Sequence, residues 1–330
     1  MKQQRNTTLD LLKVLATYMV VFIHVIFGGK TGVIVDALAR FAVPLFFLSS
    51  GYFSRGISPE KIKKRIFYIL RLLIFASVVC FLWDGREVLL HPGMATLTAY
   101  VQRKITLMTV MKLLVFNLAI SCEHLWYLLA MLYVYVVFFV TTRLAIRERL
   151  QYTIAGGLLV LQLLLGEGLR VAGMEIPEIL IRNFLMMGIP FFWLGLFVKQ
   201  YEDSLKKAPV PAIVLLLIFG IAEVIVSREL FGKNELYLGS VLILLAGVLV
   251  FVKYPDVRYP GIISRLSGCS VYIYIFHIMI SEMCLMVYGD IWQTSPVLLM
   301  THPLIVSFLS TLLALAIHGC QRKFRSKISS

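Results

Sequence analysis

The chain has 330 residues, of which 59% are hydrophobic and 15% charged, with a formal net charge of +14 and a mean hydropathy of +0.86. These values exclude an ordinary soluble domain. Because the apolar residues run in long stretches, they predict a polytopic membrane protein. The excess of Lys and Arg then reads as basic cytoplasmic loops, with anionic lipid or phosphate-bearing ligands as further reasons, and not as a nucleic-acid surface.

Ten spanning segments are predicted, near 9–28, 34–53, 66–83, 124–142, 152–169, 179–198, 210–226, 236–253, 270–288 and 297–319. The expected fold class is all-α: one integral membrane domain over 1–330, a bundle of about ten transmembrane helices with both termini cytoplasmic. The first segment, LDLLKVLATYMVVFIHVIFG, is too long for a signal-peptide core and has no small-residue cleavage site, so it is expected to stay. It also carries Asp10, Lys13, Thr17 and His24, and ionisable groups at membrane depth are costly. Lys13 and His24 point the same way on a helix, roughly 16 Å apart along its axis. Asp10 and Thr17 fall on that side too, at one turn before and after Lys13. This stripe must face protein or water. It is either a buried structural network or the wall of a reaction or transport path.

The connection 84–123 contains an amphipathic piece around Met111 to Ile120 that suits the membrane interface. No internal repeat is evident, so an inverted-repeat transporter design gains no support. The five cysteines, Cys80, Cys122, Cys269, Cys284 and Cys320, show neither CxxC nor metal-ligand spacing, and neither a disulfide framework nor a metal is expected.

With the amino terminus in the cytoplasm, the inside flanks hold 20 of the 32 Lys and Arg residues and the outside loops hold 8. That is the positive-inside bias. The other four, Lys13, Arg40, Arg71 and Arg182, sit inside spans. This orientation puts Lys13, Lys63, Lys64, Arg65 and Arg71 at the inner mouth, where such cations suit a polyphosphate ligand. It puts His24, Arg40, Glu123 and His124 in the outer half, with His277 near mid-membrane. A histidine titrates near neutrality and can take and return a proton within one cycle. The plainer alternatives stay open: His24 as a core histidine, the basic run from Lys61 to Arg71 as a topology signal, and Trp126 with its neighbouring tyrosines as packing.

Four stretches together carry a family resemblance: LDLLKVLATYMVVFIH, ARFAVPLFFLSSGYF, EHLWYLLAMLYVY and SGCSVYIYIFH. In this order, within a ten-span layout, they resemble the acyltransferase family 3 membrane proteins, bacterial O-acyltransferases of glycan modification. The family's first-segment signature is an arginine, ten residues and a histidine; His24 matches the histidine, and Lys13 stands at the arginine position. The resemblance implies transfer of an acyl group, usually acetyl, from cytoplasmic acetyl-CoA (acyl-CoA) to a hydroxyl of a cell-envelope glycan or lipid-linked sugar. It implies no permanently bound cofactor and a multi-pass place in the bacterial cytoplasmic membrane. The expected partners are the lipid bilayer, acyl-CoA and the sugar acceptor; a homo-oligomer is compatible, and nucleic acid is not expected.

Under that reading His24 is the base that deprotonates the acceptor hydroxyl, or takes the acyl group itself before passing it on; Glu123 is its orienting partner, and Arg40 stabilises charge on the thioester oxygen. Lys13, Lys64, Arg65 and Arg71 hold the CoA phosphates. Asp10, Ser50, Tyr52, His124, Trp126 and His277, within the matched stretches, are expected to line the substrate site, His277 being also the reserve base or a strut. The chain also resembles the membrane portion of the serine racemases linked to vancomycin resistance, so a transporter of a small polar solute such as serine is the alternative.

Overall fold

A computed structural model describes residues 6–90, 94–120 and 122–328. Lys2 and Arg5, counted above for orientation, lie outside the described residues, as do the side chains of Arg322, Lys323, Arg325 and Lys327. In chain order the principal helices are α1 (Thr7–His24), α2 (Gly29–Leu38), α3 (Ala42–Tyr52), α4 (Pro59–Asp84), α5 (Met94–Lys104), α6 (Leu107–Phe116) and α7 (Trp126–Arg143). They continue as α8 (Glu148–Leu163), α9 (Ile189–Gln200), α10 (Val210–Phe231), α11 (Leu238–Lys253), α12 (Gly261–Tyr288) and α13 (Pro296–Ile328). No strand occurs among the described residues. The protein is an all-α, polytopic membrane protein. Eight of the ten predicted segments lie on helices long and apolar enough to cross a bilayer. The other two lie on shorter apolar stretches, Phe184–Gln200 and Leu238–Lys253.

The helices form two compact units, divided within α3. One comprises the chain up to Phe46 and from Tyr201 onward; the other runs from Phe47 to Gln200.

In the first unit, Asn6 caps α1: its side-chain oxygen accepts from the Leu9 amide at 2.8 Å, and its amide donates to the Phe251 carbonyl at 2.9 Å. The cap satisfies an amide the helix leaves orphaned and ties α1 to the end of α11. α1 ends at His24, about a turn before the predicted boundary. The Gly28 amide then donates to the Leu299 carbonyl of α13 at 3.1 Å. Val14, Val21 and Val25 pack with Cys269 and Ile273 of α12 and Val306 of α13. Between α2 and α3 the chain tightens into a 3-10 turn at Ala39–Phe41. Pro44 has no amide proton for the Arg40 carbonyl, so a regular helix cannot run through this point. α10 and α11 approach closely, since a Cβ at Gly239 would strike the Gly220 carbonyl oxygen. The Glu223 carboxylate of α10 accepts from the Gly239 amide in the first turn of α11, where donors lack partners and negative charge is favoured.

In the second unit α4 packs on α7, and α8 on α9. An aromatic seam joins α7 to α9, with the Phe138 ring 5.2 Å from that of Phe192 and 6.1 Å from that of Trp193. π-helical turns interrupt the chain at Leu164–Gly168 and Phe184–Gly188. The second is held by Asn117, which caps α6 at φ 50° and accepts from the Phe184 amide at 3.0 Å. On α6, Leu107, Met108, Met111 and Leu114 are exposed, as suits a helix lying against lipid. In α5, the Tyr100 hydroxyl donates to the Phe81 carbonyl and to Asp84. Burial, then the Asp84 carboxylate, push that hydroxyl up to about 12.

The C-terminal turns of α3 meet α9 backbone to backbone. A Cβ at Gly195 would strike the Leu48 carbonyl oxygen, and one at Gly51 would strike that of Phe192. Neither obstacle is a side chain that could swing aside. Gly195→Ala is therefore expected to destabilise the protein by about 1–3 kcal/mol, the usual cost of overpacking. A thermal-unfolding midpoint in detergent equal to that of the unsubstituted protein would contradict this close approach.

Candidate active site

α1 presents its polar stripe to α12 in the first unit. Near its start, the Asp10 carboxylate accepts from the Ser267 hydroxyl at 2.7 Å and from the Tyr259 hydroxyl at 3.3 Å. In the middle, the Thr17 hydroxyl donates back to the Lys13 carbonyl at 2.7 Å, the usual recourse of a threonine inside a helix. The Lys13 side chain is half-buried. At the end, His24 is exposed and its ring centroid lies 5.3 Å from that of His277, with the planes tilted by 47°. His277 is fully buried, with Nδ1 2.8 Å from the Tyr274 carbonyl. A carbonyl oxygen can only accept, so Nδ1 carries the proton and the lone pair of the neutral ring sits on Nε2. An exposed imidazole thus stands beside a buried one whose tautomer is fixed.

Arg40 lies in the turn between α2 and α3, 5% exposed. One terminal nitrogen is 2.6 Å from Asp36 Oδ1 and the other 3.1 Å from Glu235 Oε1. Both carboxylates are buried as well. This triad ties α2 to the turn before α11, and both ends of the fork face acidic oxygens.

The remaining expected site residues belong to the second unit. Arg65 is locked at the end of α3: its Nη1 donates to the Ser54 hydroxyl at 2.6 Å and the Tyr135 hydroxyl at 3.0 Å, and its Nη2 to the Phe53 carbonyl at 2.9 Å. Lys64 and Arg71 are exposed on α4. Tyr52 is buried, with the Lys199 ammonium 4.9 Å above its ring. Ser50 is half-buried one helical turn before Ser54. Glu123, 85% exposed, stands 3.9 Å from an Arg182 nitrogen, while His124 and Trp126 are buried. At the turns joining α3 to α4 and α7 to α8 there is a cavity of about 500 Å³ with Arg55 and Arg147 in its lining. That volume suits a small-molecule ligand.

A family model described as an acyltransferase domain matches residues 6–319, nearly the whole chain. The chain belongs to acyltransferase family 3. No curated protein and no solved structure matches it. Membership makes this protein a membrane acyltransferase, with the polar face of α1 running through the matched region.

Of the expected residues, the first unit brings His24 and His277 together, and the second joins Arg65 to the end of α3. Three groups escaped the sequence reading. Asp36 was legible in principle, as a carboxylate four residues before Arg40 within an apolar segment. Glu235 was not, because 195 residues separate it from Arg40. The pair formed by Ser281 and His302, 2.9 Å apart on α12 and α13, left no signal in local spacing.

Proposed function

We propose that this acyltransferase family 3 protein is an O-acyltransferase of the bacterial cytoplasmic membrane. It moves an acyl group, acetyl in the first instance, from cytoplasmic acyl-CoA to a hydroxyl of a cell-envelope glycan or lipid-linked sugar. The observation that carries this reading is the accessible His24 ring standing 5.3 Å from buried His277. His24 takes the proton of the acceptor hydroxyl, and the oxygen attacks the thioester carbonyl. The carbon–sulfur bond breaks, and the departing CoA thiolate takes that proton from His24. His277 holds the orienting place beside the base. The exposed charge of Glu123 and the ion-paired fork of Arg40 suit other roles.

Lys13, Lys64, Arg65 and Arg71 are the proposed contacts for the phosphates of the donor, and the cavity lined by Arg55 and Arg147 adds a ligand-sized space for it. Asp10, Ser50, Tyr52, His124 and Trp126 remain proposed contacts of the substrates. Both termini are assigned to the cytoplasm on the distribution of Lys and Arg.

Purified protein in proteoliposomes is expected to bind acetyl-CoA, less tightly as salt rises because the cations are partly exposed. It is also expected to pass radiolabelled acetyl from that donor to the glycan fraction of bacterial membranes. Uptake of serine with neither binding nor transfer of acetyl would overturn this reading in favour of transport.

A further inference from the structure

One set of buried polar groups is left unused by the proposed chemistry, and it adjoins His277. His302 of α13 is 2% exposed, and its Nε2 stands 2.9 Å from the Ser281 hydroxyl of α12. Ser281 follows His277 by four residues, one turn further along the same face of α12. The first unit therefore holds two polar pairs one turn apart on α12: His24 of α1 beside His277, and His302 of α13 bonded to Ser281.

The orientation of His302 is determined on both sides. The rings of Tyr288 and Trp292 pack against it at 5.6 Å and 5.2 Å, both edge to face, which fixes its plane. Its Nδ1 is buried and has no hydrogen-bond partner among the described residues. Nε2 is therefore the one ring nitrogen with a partner, and it shares a single hydrogen bond with the Ser281 hydroxyl, a group able to donate or to accept. Such a bond holds one turn of α12 against α13. The turn it holds is the one that begins at His277.

We infer that His302, acting through Ser281, is a positioning residue for the His24–His277 pair. The bond fixes where α12 carries His277, and so fixes the distance and tilt at which His277 faces the base. This rests on the reading of His24 as the base. Geometry is the whole of the proposed effect, since His302 is buried and its bond runs to Ser281. Small displacements of a catalytic group are costly, because a misplacement of about 1 Å can lower a rate by about 100-fold.

The test is a set of full-length variants assayed for acetyl transfer, with thermal unfolding measured beside it. His302→Ala is expected to lower kcat by about 10-fold to 100-fold while KM for acetyl-CoA stays the same. His302→Gln should recover most of that loss, because the amide can replace Nε2 in the bond to the Ser281 hydroxyl, as donor through its nitrogen or as acceptor through its oxygen. Ser281→Ala should reproduce the loss, and adding His302→Ala to it, or to His277→Ala, should cost nothing more, because the residues act as one unit. If His302→Ala fails to fold, Ser281→Ala alone and combined with His277→Ala carries the same comparison. A structural strut would lower the unfolding midpoint and leave kcat unchanged in the folded protein. Wild-type kcat in His302→Ala or Ser281→Ala, with His24→Ala inactive, overturns this inference alone. An active His24→Ala overturns the reading beneath it as well.

Discussion

His24→Ala is expected to lower acyl transfer by about 10²–10⁴-fold, the usual cost of losing a general base, while acetyl-CoA binding survives. The two effects separate along α1 itself, because Lys13, the proposed donor contact on that helix, is roughly 16 Å from His24 along the axis. Truncating an exposed ring at the end of α1 removes little packing, so the fold should persist. Transfer lost together with binding would point to collapse of the site; binding retained with transfer lost isolates the proton step.

Arg40→Ala is expected to act on stability first. Removing the guanidinium leaves Asp36 and Glu235, 2% and 9% exposed, facing one another without their counter-charge. Breaking a buried ion pair from one side costs about 3–5 kcal/mol, because the stranded charge keeps its desolvation penalty. The unfolding midpoint in detergent should fall markedly, and the link between α2 and the turn before α11 should loosen. Arg40→Lys should fall between, since an ammonium keeps the charge but cannot reach both carboxylates with the geometry of a planar fork. An unchanged midpoint with abolished transfer would contradict the structural role and return Arg40 to the oxyanion.

How much of this was legible in the sequence differs by level. Each of the ten predicted segments lies on an apolar helical stretch, because hydropathy is a one-dimensional signal and the bilayer rewards it segment by segment. The break after His24 was not visible, since that stretch stays apolar through residue 28 and the chain leaves the helix to meet Leu299 in space. The polar face of α1 was legible from spacing alone, and it faces α12, where Ser267 and His277 meet Asp10 and His24. Partners were harder. Arg40 read as a stabiliser of charge on the thioester oxygen, with its bond to Glu235 from a distant turn unseen, and Glu123 read as the partner of a histidine while its charge sits 3.9 Å from Arg182. Periodicity says which way a side chain points along one helix; it does not say what the next helix brings to it.

The central claim is that a titrating imidazole at position 24 moves the acceptor proton. His24→Gln tests it most directly, because the amide keeps hydrogen bonding but does not titrate near neutral pH. The measurement is acetyl transfer by the purified variant in proteoliposomes, with acetyl-CoA binding recorded on the same preparation. Donor binding equal to wild type with transfer reduced to the level of His24→Ala is the predicted result. Full transfer by His24→Gln would contradict the claim and make His24 a strut.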